Sequence, residues 1–495
     1  MISWCTSAAL GAVLVAMSIL RAKSYFSALT AGTRLNFRDF ASLRERMMNG
    51  VVLIALFAIY GVWVWLKVRG RREDREADAP VALPKIIDES SPIKSLLTYA
   101  LPLMVLAWLV YPYSGDVRLY LHYGAMANAG LNPFITRADA FASPWSPTLA
   151  WGQTSTYGPV AVGLFSLVAR LSPTHSITSW TQTLAALYCL KLITLILHAA
   201  TTLLIARVMA PRKDRWDWAF LYGVNPVVLQ EIVGNAHIDA ALILLTVISL
   251  LAVRNNRYVI ATAMLVAATL VKTVGVIWLP LLGLDMLRAR RFRAAAVSIA
   301  GGLALFALLA ATLLPDARAW GSLLNSGTAE QVSQSITSAA WRLMAGPLGV
   351  RDPLLHTIVM TLVLSLKAIF VLLSAFIAWR LWSRREWSVA GAIAIATLLL
   401  FVLGCPWYRP WYAVVLLVPP LFVSLGFWNR VAVIALVLGG SIGTALFPPN
   451  LWLDLISAMP VAICLLISFG VEARSMIRST AIEFEPITPL SSEPA

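Results

Sequence analysis

Long apolar runs with few charges recur along the whole chain. An α-helix needs about 20 residues to cross the hydrocarbon of a bilayer, and runs of that order lie at 51–68, 184–208, 294–314, 355–382 and 431–447. Proline and glycine interrupt several further runs, and counting these gives about 12 to 14 candidate spans. The pattern predicts an all-α integral membrane protein, a polytopic bundle of transmembrane helices.

Composition agrees with the hydropathy pattern. Of the 495 residues, 59% are hydrophobic and 13% are charged, whereas soluble domains carry about 25% charged residues. The net charge is +15, but the basic residues lie in short clusters between apolar runs, as the positive-inside bias produces. This distribution argues against a nucleic-acid partner. The four cysteines show no CxxC spacing, which favours buried small hydrophobes over metal ligands or disulfides.

Basic loops assign the two faces of the membrane. The basic clusters lie at 67–75, 207–215, 254–257, 288–293, 380–385 and 474–478. With these loops in the cytoplasm, the outer face receives Lys272 and the segments 113–157, 234–239, 315–353, 405–412 and 448–452. The alternation fails at 21–48 and 158–171, and the sequence leaves both crossings open.

Polar segments divide the chain into four regions. Residues 1–69 form an N-terminal transmembrane pair, and 70–92 form a polar, proline-punctuated cytoplasmic linker. Residues 93–478 hold the remaining spans, and the acidic tail 479–495 is predicted to be disordered. The first apolar run starts at Met1 without a basic lead or a small-residue cleavage site, which favours a membrane anchor over a cleaved signal.

The first outer loop carries an acid where an apolar span ends. Ionisable residues at membrane depth are functional candidates by default, and Asp116 stands at this boundary. If the following segment is helical, Asp116, Tyr120 and Tyr123 share one face at i, i+4 and i+7 spacing. A Gly-Asp pair before an apolar run also suits helix capping. Spacing alone leaves the functional and capping interpretations open.

A second polar group interrupts the apolar sequence at 225–240. One apolar run ends at Gly234, and His237 and Asp239 open the next. On a helix the two side chains would point about 200° apart, so a shared helical face is not expected. The irregular turn between the runs is able to direct both into one cavity. Capping by Asn235 or Asp239 is the structural alternative.

Isolated lysines also interrupt apolar runs. Lys272 is the one charge in a long apolar stretch, and it either extends to the outer surface or serves as a point charge for phosphate. The phosphate interpretation is slightly favoured. Lys191 and Lys367 are interpreted as residues whose amines extend to the membrane surface.

Aromatic and basic residues are concentrated at 405–412. Arg409 lies between the pairs Trp407-Tyr408 and Trp411-Tyr412, which is denser than an interfacial aromatic belt requires. Flat aromatic faces suit sugar rings, and the loop 315–353 adds Arg342 on the same side. Separate segments thus bring acid, imidazole, ammonium, guanidinium and aromatic groups to the outer face. This convergence predicts an outer-face active site.

Three stretches resemble a known enzyme family. SGDVRLYLHYGAMANAGLNPF with the downstream STYGPV is similar to a family block that reads S-x-D-x-x-x-Y…G…G-L-D-P-Y followed by P-Y-G-P. NPVVLQEIVGNAHIDAALILL resembles N-P-L-V-L…G-x-H-N-D-A-L-M, and LVKTVGVIWLP resembles the lysine-bearing helix that follows. The family is the polyprenyl-phosphate-mannose-dependent α-1,6-mannosyltransferases of the GT-C superfamily, and the likeness covers roughly residues 95–285.

The resemblance implies a fold and a reaction. It implies a GT-C-type helical bundle in the cell membrane that moves mannose, with inversion, from a polyprenyl-phosphate donor to a glycan or glycolipid acceptor on the extracytoplasmic face. Asp116 is then the catalytic base, and Lys272, Arg409 and Arg342 are candidates to hold the donor phosphate. The implied substrate-binding residues are Tyr120, Tyr123, His237, Asp239, Trp407 and Tyr408.

The sequence departs from the family block at three positions. Asn132, Phe134 and Ile238 stand where the family tends to have Asp, Tyr and Asn, so the donor and the acceptor stay open. No cofactor is predicted and a metal is not indicated, because the phosphate can leave without protonation and no tight carboxylate cluster is visible in the sequence.

Other functions remain as alternatives. A glucosyl- or arabinosyltransferase of the same fold is not separable by sequence, since pocket shape reads sugar stereochemistry. A transporter for a lipid-linked sugar would place charges on both faces and show duplicated halves, and neither is visible. A structural scaffold would leave Asp116, His237, Asp239 and Lys272 without a role.

Overall fold

The structure, a computed structural model, describes most of the transmembrane regions. The described residues are 8–21, 43–76, 94, 96–112, 114–146, 149, 152–171, 180–209, 215–324, 335–339, 342, 353–383, 387–405, 408–423, 427–446 and 451–471. The predicted tail 479–495 and most of the predicted linker 70–92 lie outside them. Helix α2 covers the start of that linker, because it runs to Glu76.

The described chain is built from helices. We number the principal helices α1 Ala8–Arg21, α2 Leu43–Glu76, α3 Leu101–Leu109, α4 Asp116–Asn128, α5 Pro159–Leu171, α6 Trp180–Val208, α7 Arg215–Gly223, α8 Asp239–Arg254, α9 Tyr258–Val271, α10 Trp278–Arg288, α11 Phe292–Thr312, α12 Ala317–Leu324, α13 Pro353–Ser383, α14 Val389–Leu399, α15 Phe427–Leu446 and α16 Leu451–Val471. Short helical turns occur at Pro226–Val228, Leu229–Gly234, Thr273–Ile277 and Pro410–Leu421. The described residues contain no strand, so the all-α prediction is confirmed.

Three described helices are long and apolar enough to cross a membrane. The candidate spans lie at Leu184–Val208, Phe292–Thr312 and Met360–Ser383, and the broken pair Pro226–Gly234 and Asp239–Arg254 adds a fourth if it is one span. Eight further apolar helices of 10 to 17 residues accompany them. The chain is therefore a polytopic helical membrane protein, and the total of 12 to 14 crossings stays a prediction.

Two compact units divide the chain. The first contains residues 1–153, 162–207 and 214–240, and the second contains 154–161, 208–213 and 241–495. Within the first unit, Gly11 of α1 packs against the side chains of Leu103 and Leu106 of α3. The Tyr60 hydroxyl of α2 donates to the Leu221 carbonyl at 2.7 Å. The N-terminal helix pair thus packs on the helices of this unit.

A close helix contact positions α4 in the first unit. A Cβ added at Gly124 would lie 2.2 Å from the Phe165 carbonyl oxygen of α5, so glycine permits the two backbones to touch. Asn128 at the end of α4 donates to the Ser166 carbonyl at 3.0 Å and accepts from the Arg170 guanidinium at 2.9 Å. The contact fixes the helix that begins at Asp116.

Lys191 of α6 does not extend to a surface. Its side chain is fully buried, its ammonium donates to the Val110 carbonyl, and it lies over the Tyr188 ring. Arg21 of α1 donates to the neighbouring Tyr111 carbonyl at 3.3 Å. The prediction of a surface-seeking lysine was wrong, because tertiary packing gave this helix face a polar partner at the carbonyl end of α3.

Polar contacts also join helices in the second unit. The Trp278 indole donates to the Thr397 hydroxyl at 2.8 Å, linking α10 to α14. Arg288 at the end of α10 pairs with Asp285 at 2.5 Å and donates to the Leu381 and Trp387 carbonyls. A buried polar group is costly unless it is hydrogen-bonded, so these pairs fix helix positions within a largely apolar unit.

Candidate active site

Asp116 is the first residue of helix α4. Gly115 occupies the N-cap position and provides no side-chain cap, so the capping role considered for Asp116 is not the one observed. The Asp116 side chain is 7% exposed and its backbone N–H donates to the Ser114 hydroxyl at 3.2 Å. A carboxylate at a helix start is favoured by the helix dipole, and this one points into the protein.

His237 lies in the break between two helical segments. The first segment ends at Gly234 and α8 begins at Asp239, as the sequence predicted. Ala236 within the break has φ of 56°, a left-handed conformation that is uncommon for a residue with a side chain. His237 is fully buried, and Asp239 is buried at the first position of α8.

The break brings His237 between two carboxyl groups. Its Nδ1 lies 3.8 Å from Asp116 Oδ2, and its Nε2 lies 3.5 Å from Glu231 Oε2. The Tyr120 hydroxyl lies 3.2 Å from the same Nδ1. We call Asp116, Tyr120, Glu231, Asn235 and His237 the acid cluster; all five residues belong to the first unit.

Glu231 is a member of the cluster that the sequence analysis missed. It is 4% exposed, and its carboxylate accepts from the Asn235 amide at 2.9 Å and from the Gln230 amide at 3.2 Å. An acid inside an apolar run is itself a functional signal, and that signal was present in the sequence. Asn235, considered as a cap, is instead a hydrogen-bond donor to Glu231.

Tyr120 and Tyr123 take different roles on the predicted helix face. The Tyr120 ring stacks on Phe165 of α5 with centroids 4.6 Å apart, which fixes the hydroxyl beside His237. The Tyr123 hydroxyl donates to the Gln153 carbonyl at 3.0 Å. Burial and then the nearby Asp116 charge raise the pKa of Tyr123, so it stays a proton-bearing donor at neutral pH.

His122 links α4 to the loop that contains Ala138 and Ser143. Its Nε2 is 2.9 Å from the Ala138 carbonyl and therefore donates, which leaves Nδ1 to accept from the Ser143 hydroxyl at 2.7 Å. Burial lowers the pKa of His122 below its usual 6.5, although the bond to Ala138 opposes the shift. The histidine is thus a neutral link between the helix and the loop.

A separate cluster surrounds Lys272 in the second unit. Lys272 has extended backbone dihedrals after the end of α9, and its ammonium lies 3.6 Å from the centroid of the Tyr412 ring. Trp411 and Tyr412 contact each other edge to face. We call Lys272, Trp411 and Tyr412 the cation–aromatic cluster; a cation this close to an aromatic face is attracted by it.

The STYGPV segment explains part of this geometry. A Cβ added at Gly158 would lie 2.1 Å from the Leu270 carbonyl oxygen, and the Gly158 N–H donates to the Val271 carbonyl at 3.0 Å. The glycine therefore permits the segment to pass directly against the end of α9, one residue before Lys272. A glycine that permits close backbone approach is a structural requirement here.

The other predicted residues are placed differently. Tyr408 is buried, and its hydroxyl donates to the Leu436 carbonyl at 3.1 Å, a contact that fixes the segment to α15. Arg409 is 3% exposed. Arg342 donates to buried Asp454 at 2.6 Å, which gives its guanidinium a structural partner. Trp407 lies outside the described residues.

The two clusters have distinct chemical capacities. The acid cluster offers a carboxylate, an imidazole and a phenol within hydrogen-bonding or ionic reach of one another, a set suited to accepting and moving a proton. The cation–aromatic cluster offers an ammonium and flat rings, which suit phosphate and sugar. Within the described residues, no group of three or more His, Cys, Asp or Glu side chains is arranged to hold a metal ion.

Comparisons with known proteins agree with the sequence resemblance. Residues 6–288 match the family described as alpha-(1->6)-mannopyranosyltransferase, N-terminal domain. The chain is also 26% identical over 257 residues to alpha-(1->6)-mannopyranosyltransferase A of Corynebacterium glutamicum, which covers 50% of this chain and 48% of the relative. The chain thus spans about half the length of that curated relative.

The family match includes both clusters' best-supported residues. It extends over more than half of the 495 residues and contains Asp116, Glu231, His237 and Lys272. The resemblance inferred from three sequence stretches is therefore confirmed. On the strength of this match, the chain belongs to the alpha-(1->6)-mannopyranosyltransferase family.

Proposed function

We propose that the protein transfers a mannosyl residue from a polyprenyl-phosphate donor to a glycan or glycolipid acceptor. The α-1,6 linkage follows the name of the Corynebacterium glutamicum relative. The observation that carries the proposal is the acid cluster, in which the Asp116 carboxylate is buried and lies 3.8 Å from the His237 ring. A membrane-embedded chain suits a donor whose polyprenyl tail stays in lipid.

The proposed reaction is a single inverting displacement. The acceptor hydroxyl oxygen forms a bond to the anomeric carbon, and the bond from that carbon to the phosphate oxygen breaks. Asp116 takes the hydroxyl proton as general base, and the bonding electrons leave with polyprenyl monophosphate. An inverting displacement yields an α-linked product from a β-linked donor.

Other residues support these roles. His237 orients the Asp116 carboxylate. Tyr120 and Glu231 hold the His237 ring at its two nitrogens, and Asn235 holds Glu231. Lys272 and Arg409 are proposed to stabilise the departing phosphate. Arg342 is not assigned this role here, because its guanidinium pairs with Asp454. Asp239 is proposed as a sugar contact, and the transfer is proposed to occur on the extracytoplasmic face.

Transfer by the purified full-length protein tests the proposal. The wild type in detergent receives polyprenyl-phosphate mannose and a short α-1,6-mannoside, beside Asp116→Asn and a third arm with EDTA. We expect transfer by the wild type, a loss of at least about 100-fold in Asp116→Asn, and no effect of EDTA. An Asn variant that folds and transfers normally would remove Asp116 from the mechanism.

Parallel donors test the alternatives. Glucose and arabinose donors are assayed under the same conditions, and faster transfer of either sugar would replace mannose in the proposal. If no donor supports transfer, the uptake of labelled lipid-linked sugar into reconstituted vesicles tests the transporter alternative.

A further inference from the structure

Arg118 is a buried cation on the first turn of α4. Its side chain is 3% exposed, and its buried Nη1 has no hydrogen-bond partner among the described residues. Arg118 lies two positions after Asp116, so the two side chains leave the helix about 200° apart. The guanidinium is therefore not paired with the Asp116 carboxylate.

Three other arginines of the protein donate hydrogen bonds to carboxylate, carbonyl or amide oxygens. Arg288 binds the Asp285 carboxylate and two carbonyls. Arg342 binds the Asp454 carboxylate, and exposed Arg170 binds the Asn128 side chain. A buried guanidinium nitrogen without a hydrogen-bond partner is costly, and an oxygen atom of a ligand bound beside Arg118 would supply the missing partner.

The helix start at Arg118 favours an anionic ligand independently. Helix α4 has 13 residues, and Gly115 at its N-cap has no side chain that could accept a hydrogen bond. The Asp116 N–H binds the Ser114 hydroxyl and the Arg118 N–H binds the Gly115 carbonyl, so it is the positive end of the helix dipole that attracts an anion here. Arginine binds phosphate oxygens with paired hydrogen bonds, which makes phosphate the ligand class that both features select.

We propose that Arg118 binds the phosphate of the lipid-linked sugar donor at the start of α4. This inference rests on the proposed function and adds a phosphate contact within the unit that contains Asp116. As the bond from the anomeric carbon to oxygen breaks, the phosphodiester becomes a monoester and gains one negative charge. Hydrogen bonds from Arg118 strengthen as that charge develops, which stabilises the departure of the phosphate.

The placement of the two side chains suits an inverting reaction. The acceptor must approach the anomeric carbon from the side opposite the leaving phosphate. Asp116 and Arg118 leave different sides of one helical turn, so the base and the phosphate contact are held apart. A donor sugar lying across the start of α4 would meet both groups.

The test compares three variants of the full-length protein in detergent. Arg118→Gln removes the charge, Arg118→Lys keeps it without the paired donors, and Arg170→Gln removes an exposed arginine that already has a partner. The Michaelis constant for polyprenyl-phosphate mannose is measured for each. A charge-assisted hydrogen bond corresponds to about 10- to 100-fold in affinity. We therefore expect the Michaelis constant to rise by about 10- to 100-fold in Arg118→Gln. We expect a smaller rise in Arg118→Lys and no rise in Arg170→Gln.

Thermal unfolding provides a readout that does not require transfer. A short-chain prenyl monophosphate, the matching neutral prenyl alcohol and inorganic phosphate are added separately to wild type and Arg118→Gln. We expect the prenyl monophosphate alone to raise the wild-type midpoint by a clear margin. Arg118→Gln is expected to lose this rise and to be no less stable than wild type without ligand, because an unpaired buried charge has been removed.

The outcomes separate this inference from the proposed function. If the wild type transfers mannose but Arg118→Gln keeps its Michaelis constant and its midpoint rise, the Arg118 assignment is wrong and the proposed function stands. A lower midpoint of unliganded Arg118→Gln would make the residue structural and also overturn the assignment. Equal stabilisation by inorganic phosphate would overturn the lipid source. If no donor is transferred but the Arg118-dependent midpoint rise persists, the proposed function fails and the phosphate contact stands.

Discussion

The acid cluster and the cation–aromatic cluster are built in opposite ways. In the acid cluster, each functional atom is buried and the partners come from distant segments, with Tyr120 and His237 separated by 117 residues. In the cation–aromatic cluster, Lys272 is half-buried at a helix end and contacts one face of the Tyr412 ring. The first arrangement restrains the group that we propose transfers the proton, while the second leaves a cation beside aromatic surfaces that a ligand can also contact.

The two clusters differ in how precisely their functional atoms need to be positioned. A general base must lie within hydrogen-bonding reach of the proton that it removes. In the proposed mechanism Asp116 is that base, and its carboxylate lies 3.8 Å from His237, whose ring is contacted by Tyr120 and Glu231. A phosphate has several equivalent oxygens and tolerates a movable point charge. We therefore expect substitutions in the acid cluster to lower kcat and substitutions near Lys272 to raise the Michaelis constant.

Glu231→Gln is expected to produce the largest effect among substitutions beyond Asp116. The change keeps an oxygen for the Asn235 amide but removes the charge 3.5 Å from His237 Nε2. We expect kcat to fall by about 10- to 100-fold, at the lower end of general-base effects, with a changed pH profile and an unchanged Michaelis constant. Initial rates across pH measure this.

Glu231→Asp is the matched control for the charge. It keeps a carboxylate and should recover part of the lost kcat. Wild-type kinetics in Glu231→Gln would mean that the contact with His237 is only structural, and the contrast between the two clusters would lose its basis.

Gly124→Ala tests the contact that holds α4. The new Cβ would lie 2.2 Å from the Phe165 carbonyl oxygen, so the helices must separate. We expect about 1–3 kcal/mol of lost stability, the usual cost of overpacking, and a loss of activity with it. A Cβ added at Gly163 of α5 would meet no atom within 4 Å, so Gly163→Ala should be neutral or slightly stabilising. Thermal midpoints in detergent compare the two, and equal midpoints would contradict the close contact.

Tyr412 variants test whether the aromatic face beside Lys272 contributes to donor binding. A cation–aromatic contact is worth about 0.5–2 kcal/mol, so Tyr412→Leu should raise the Michaelis constant for the donor by about 2- to 30-fold. Tyr412→Phe keeps the aromatic face and should remain close to wild type. A fall in kcat at constant Michaelis constant would instead place Tyr412 with the proton-transfer groups.

His122 gives the smallest expected effect, on stability alone. Burial lowers its folded-state pKa below the unfolded value of about 6.5, so its contribution is complete above that pH. It is lost as the pH falls through the folded-state pKa, because the unfolded chain binds the proton first. Thermal midpoints from pH 8 to pH 5 should therefore fall more steeply for wild type than for His122→Gln. Parallel curves would contradict a neutral buried histidine.

The features that the sequence predicted correctly are those determined by residues close together in the chain. The apolar runs at 184–208, 294–314 and 355–382 correspond to the three spans of sufficient length. The i, i+4 spacing of Asp116 and Tyr120 holds because both lie on α4. The break between Gly234 and Asp239 follows from a polar turn between two apolar runs.

Contacts between residues far apart in the sequence could not be predicted from those local patterns. Whether Lys191 faces lipid or a carbonyl depends on how α6 packs against α3, which its own apolar sequence does not encode. The pairing of Arg342 with Asp454 joins residues 112 positions apart in sequence, so the sequence around Arg342 could not predict it. Glu231 carried a signal as an acid inside an apolar run, but its contact with His237 could not be predicted, since it depends on the left-handed turn at Ala236.

The residues of the acid cluster are synthesised at different times, because they lie far apart in the sequence. Tyr120 leaves the ribosome 117 residues before His237, which at about 5–20 residues per second is roughly 6 to 23 seconds. During that interval Asp116 and Tyr120 of α4 have been synthesised and His237 has not. Under the proposed mechanism, catalytic competence is therefore acquired only after α5, α6 and α7 have been synthesised. A nascent chain truncated before His237 holds the proposed base but not the histidine that lies beside it.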